Sequence, residues 1–123
     1  MSAAIERALA GLAIGRIVLG ILSRVAPRAT TRLFGAGPAA SPELDYMNRV
    51  FGARAFALGS GYLLSEGEAR RRWQRLAFVC DVSDTLAGAG HLRRGDIPRP
   101  SAIAATVLTG SYMLVGALKL ARS

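Results

Sequence analysis

Apolar residues in this chain come in blocks, without the every-turn alternation that marks a helix with one wet face. The blocks predict helices over about residues 8–25, 42–65, 73–92 and 101–118. Each approaches the roughly 20 residues that a helix needs to cross about 30 Å of hydrocarbon. Ser41-Pro42-Glu43 is a strong start for the second segment, because serine caps, proline suits the first helical position and acids favour the positive helix end. Ser65-Glu-Gly67 predicts a tight turn, and Arg93-Arg94-Gly95 a basic last turn followed by a glycine stop. Pro98-Arg-Pro100 forces an extended connection before the fourth segment. The expectation is an all-α, single-domain protein over residues 1–123, a four-transmembrane-helix antiparallel bundle with short loops. The longest connection, Pro27 to Ser41, is read as a loop that could pack as a short amphipathic segment on the membrane surface.

Composition refines this picture. The chain carries a net charge of +8 at 51% apolar content, with 14 glycines and few aromatics. Its arginines punctuate the apolar blocks and do not gather on one face with interleaved aromatic rings. That pattern reads as headgroup anchoring rather than nucleic-acid binding. Trp73 after Arg70-Arg71-Arg72 marks an interfacial position, and His91 a second one. Basic residues divide almost evenly between the two ends, with the dense Arg70–Arg75 run favouring termini on the cytoplasmic side of a plasma (bacterial inner) membrane. The first block resembles a signal peptide in its flanks, but Arg16 interrupts what would be the apolar region. A basic, soluble helical bundle is the competing reading, kept open by the arginines in the first two segments.

Arg16, Arg54, Asp81 and Asp84 all fall within the apolar windows. Each costs about 2.5–3.5 kcal/mol at a helix centre in a bilayer, so each needs a partner or water. Two arginines and two aspartates on three helices can neutralise one another in the bundle interior, and arginine's planar fork suits that task. Asp81, Asp84, Gly88 and His91 share one stripe of the third helix, about 15 Å long. The stripe supports three readings: a clamp that fixes helix register, a proton or ion relay with His91 at its mouth, and a site for a ligand headgroup. A carboxylate held by arginine resists protonation, which favours the clamp. Small residues, above all Gly11, Gly15, Gly59 and Gly88, are expected to let helices approach closely. Arg16-Ile-Val-Leu19-Gly20 also faintly echoes Arg54-Ala-Phe-Ala-Leu58-Gly59.

Cys80, the sole cysteine, lies in an apolar stretch and reads as an inert thiol. No nucleophile stands beside a base, no glycine loop precedes a helix to cradle phosphate, and no metal-ligand spacing occurs, so the sequence points to no enzyme, metal or cofactor.

Phe51-Gly-Ala-Arg54-x-x-Ala57-Leu58-Gly59 and Asp81-x-x-Asp84-Thr-x-Ala-Gly88 together resemble small four-helix integral membrane proteins of actinobacteria. The resemblance implies an accessory subunit of a larger envelope complex, including the lipid-import transporters of mycobacteria, with lipids and transporter subunits as partners. The expected function is an accessory subunit that stabilises or regulates a larger inner-membrane complex. The alternative is a small homo-oligomeric proton- or ion-coupled carrier that uses the Asp/Arg cluster.

Overall fold

The computed structural model describes residues 2–122, and these are helical almost throughout. Five α-helices follow in order: α1 (Ser2–Val25), α2 (Pro27–Leu33), α3 (Pro42–Leu64), α4 (Gly67–Arg94) and α5 (Arg99–Ala121), with one 3-10 turn at Gly37–Ala39. Three of the four long helices, α1, α4 and α5, run 5–8 residues beyond the apolar windows, because charged residues at their ends remain good helix formers, while α3 matches its window to within one residue. At the start of α4, for example, Arg71 reaches back to Glu68 at 2.8 Å.

The boundaries have local causes. Ser41 Oγ accepts the Leu44 N–H at 3.1 Å and Pro42 opens α3, as the sequence predicts. Gly95, at φ +68°, ends α4 in the left-handed conformation that glycine adopts without strain. The Pro27–Ser41 connection holds more structure than a loop. Pro27 begins α2, and the hydroxyls of Thr30 and Thr31 turn back onto the carbonyls of Ala26 and Pro27. Asn48 of α3 then donates to both Thr31 Oγ1 (2.8 Å) and Pro27 O (3.1 Å), while Arg28 holds Asp45 at 2.8 Å. This polar seam fixes α2 against the first half of α3.

The long helices form an antiparallel, up-down-up-down bundle. Gly20 lies against Gly52 and Ala13 against Gly59 across α1–α3. Gly88 meets Thr106, and Gly116 meets Phe78, across α4–α5. The α1–α3 contact is backbone to backbone: a methyl on Gly52 would stand 2.5 Å from Gly20 O and 2.8 Å from Arg24 N. Gly15 also packs tightly, against Tyr112. Gly11 does not, because it faces open space; the buried seam of α1 runs through Ile5, Leu9, Ala13, Gly20 and Ser23. The close-packing role expected for Gly11 therefore belongs to Gly20 and Gly52.

Burial is inverted relative to a water-soluble bundle. Among the described residues eight apolar side chains are buried, half of them alanines, yet Asp81, Gln74 and Ser23 are buried too. Val18, Val79, Leu86, Val107 and Leu114 all stand outward and more than half exposed. Two helices, α1 and α5, are long and apolar enough to cross a membrane. Only 22% and 17% of their apolar windows are buried, whereas the core helix of a soluble protein would be mostly covered. The charges within α3 and α4 keep those helices from meeting the same compositional standard.

Candidate functional site

Midway along the bundle, the four charges singled out by the sequence form two ion pairs across three helices. Arg16 Nη2 of α1 donates to Asp81 Oδ2 of α4 at 2.5 Å. Arg54 Nη2 of α3 donates to Asp84 Oδ2 of α4 at 2.6 Å. The pairs differ in depth: the Asp81 carboxylate is 3% exposed, against 28% for Asp84. One helical turn separates the two aspartates, so each leans toward a different neighbouring helix.

Aromatic and hydroxyl groups complete the arrangement. The Arg16 guanidinium lies 4.4 Å from the centre of the Tyr112 ring, and Tyr112 Oη donates to Leu12 O at 3.2 Å. Arg16 therefore ties α1 to α4 and α5 at once. Arg54 lies 5.7 Å from the Phe51 ring on its own helix. Beside the Arg16–Asp81 pair, Thr85 Oγ1 and Thr109 Oγ1 lie 2.9 Å apart across α4–α5, Thr85 also reaching Asp81 O (2.6 Å) and Thr109 reaching Ala105 O (2.9 Å). A space of only about 30 Å³ remains between the two ion pairs. Above it, a gap of about 10 Å³ lies among Leu9, Leu58, Tyr62 and Tyr112. That gap is at the limit of what one water occupies, about 10–15 Å³.

No known protein family, curated protein or solved structure matches the chain.

The remaining sequence-singled residues take separate places. Gly88 continues the Asp81–Asp84 stripe but meets Thr106 of α5, so the stripe turns from one neighbour to the next. His91, at the end of that stripe, is bound into the α4–α5 connection. Its Nδ1–H donates to Asp96 Oδ1 at 2.7 Å, and Arg94 reaches Asp96 Oδ2 at 3.2 Å. The His91 hydrogen bond, with Arg94 beside it, holds the Asp96 carboxyl below its ordinary range. At the other end of α4, the Trp73 ring is laid flat against Gly61 of α3, where no side chain larger than hydrogen fits. Cys80 is a partly buried free thiol.

Sequence reasoning missed Tyr112, the Thr85–Thr109 bridge and Arg70. Arg70 Nε donates to Ser65 O (2.8 Å) and Tyr62 O (3.1 Å), satisfying carbonyls that the end of α3 leaves open. The available signal was a lone tyrosine in the otherwise apolar α5 and the first arginine after the Ser65–Gly67 turn.

Proposed function

We propose that this chain is a four-span subunit of a bacterial plasma membrane that stabilises or regulates a larger membrane complex. The observation that carries the reading is the internal closure of its charges. With Asp81 nearly inaccessible beneath Arg16, and Arg54 paired to Asp84, the charges midway along α1, α3 and α4 can sit among lipids as neutral pairs. Large apolar side chains then stand outward on all four long helices, among them Val18, Phe56, Val79 and Val107, for acyl chains or for the helices of a partner. On the resemblance noted above, that partner is a transporter, with lipid import as one class of cargo. Termini on the cytoplasmic side follow from the basic run Arg70–Arg75 at the same end of the bundle.

Purification of the tagged chain from native membranes in mild detergent, with mass spectrometry of co-eluting proteins, tests this. Stoichiometric transporter or envelope subunits support the reading; recovery of this chain alone as a discrete oligomer sinks it. The carrier alternative draws on one observation, the partial exposure of the Arg54–Asp84 pair. It requires Asp84→Asn to abolish flux in reconstituted vesicles while folding is preserved.

A further inference from the structure

At the end of the bundle where α1 begins and α5 finishes, a cleft of about 180 Å³ opens among Tyr62, Arg70, Arg71, Gln74, Arg75 and Lys119. Glu6 is the one carboxylate in its lining, and Lys119 neutralises it at 2.5 Å. Glu68, nearby, takes the Nε and Nη2 donors of Arg71 and approaches Arg75 at 3.7 Å. The Nε and Nη2 donors of Arg70 serve the carbonyls at the end of α3. Among the described residues, that leaves the Nη1 groups of Arg70 and Arg71 and most of the Arg75 fork with donors to offer. The cleft is net positive after its internal pairs are closed.

Two further features point the same way. Gln74 is nine-tenths buried and lines the cleft, yet its amide makes no hydrogen bond among the described residues. Unlike the hydroxyls of Ser23, Ser101 and Thr106, this amide is not sealed off, so it stays open to an added partner. In addition, Gly67, the first residue of the 28-residue α4, lines the cleft, and Glu66 before it supplies no side-chain cap. The start of α4, with the positive end of its dipole, thus borders the same space.

We propose that this cleft binds a phosphate-bearing anion, either the phosphodiester of an anionic lipid headgroup or free phosphate. A phosphate offers acceptor oxygens in several directions, matching arginine forks, a side-chain amide and a helix N-terminus that converge from different elements. The space takes a headgroup-sized anion and is too small for a drug-sized ligand, which needs about 300–1,000 Å³. The inference stands apart from the accessory-subunit reading, since a soluble chain would offer the same cleft to free phosphate.

The test titrates the purified full chain in neutral detergent with inorganic phosphate, short-chain phosphatidylglycerol and short-chain phosphatidylcholine. Calorimetry and the fluorescence of Trp73, the single tryptophan, follow binding. Preference for phosphatidylglycerol, with phosphate competing weakly, supports the site and assigns it to a lipid headgroup. Saturation by phosphate at equal or better affinity supports it and assigns it to the free anion. Arg75→Gln should weaken binding about tenfold, the loss of one charge-assisted contact. Gln74→Leu should weaken it as well. Arg75 is half exposed, so its variant should fold and decides the matter should Gln74→Leu misfold. Absence of binding, equal binding of phosphatidylcholine, or unchanged affinity in Arg75→Gln overturns the proposal.

Discussion

Replacing Asp81 with asparagine tests the deepest charge in the bundle. The substitution keeps shape and one acceptor oxygen while removing the negative charge. Arg16, itself only 15% exposed, would remain buried and positive without a counter-ion. Removing one partner of a buried ion pair costs about 3–5 kcal/mol, and the surviving amide acceptor places the expected loss near 3 kcal/mol. Asp84→Asn is the internal control. Its pair is 42% and 28% exposed: where that face meets hydrocarbon the unpaired Arg54 costs about 2.5–3.5 kcal/mol, much as at Asp81, and where it meets water the loss falls to the surface range of about 0.2–1 kcal/mol. In the latter case the gap of about 2–3 kcal/mol between the variants corresponds to roughly a hundredfold in the unfolding equilibrium. Equilibrium unfolding of the purified chain in mixed micelles, followed by circular dichroism, reads both. An Asp81→Asn loss below about 1 kcal/mol would refute the burial argument; equal losses within about 0.5 kcal/mol would place the Arg54–Asp84 face in hydrocarbon, and the full gap would place it in water. The double variant Arg16→Met with Asp81→Leu should recover most of the loss, because well-packed apolar residues often replace a buried pair without penalty.

Two other expectations concern the α1–α3 seam and the α4–α5 connection. Gly52→Ala drives a methyl to 2.5 Å from Gly20 O and should destabilise by about 1–3 kcal/mol, whereas Gly11→Ala, in open space, should be neutral or stabilise by up to about 1 kcal/mol in the same assay. Asp96 titrates lower in the fold than in the unfolded chain, so its contribution to stability is complete above pH ~4 and is lost as pH falls through the folded value. Carbon-detected NMR should place its midpoint below 3.8, and Asp96→Asn should erase the acid-side loosening of the connection; a midpoint above 3.8 refutes the pairing.

The helical architecture was legible because apolar block length and helix punctuation sit in adjacent residues, as at Ser41–Pro42 and Gly95. Arg16, Arg54, Asp81 and Asp84 stood out for the same reason, as charges in apolar surroundings. Their pairing was not legible, because it depends on the rotation of α4 between α1 and α3. The contrast between Gly11 and Gly20 depends on that same rotation: both glycines are equally plain in sequence, and only the facing helix decides which one matters. The α2 helix was hidden because Thr30 and Thr31 look like loop residues until Asn48 and two carbonyls are placed around them. The crossing status of α3 and α4 also lies beyond hydropathy, since their charges count against them singly and cancel only in pairs.

Both arginines of the central cluster lie in the first half of the chain, and both aspartates lie on α4. For a chain inserted helix by helix in the proposed membrane setting, α1 and α3 would therefore enter with two unneutralised guanidiniums, each costing about 2.5–3.5 kcal/mol. Synthesis of α4 would supply both counter-charges in a single step, making biogenesis a matter of waiting for one helix. A chain stopped at residue 64 should consequently be extracted from membranes more readily than the same fragment bearing Arg16→Leu and Arg54→Leu. Indifference to those substitutions would mean that other components of the membrane carry the charges until α4 arrives.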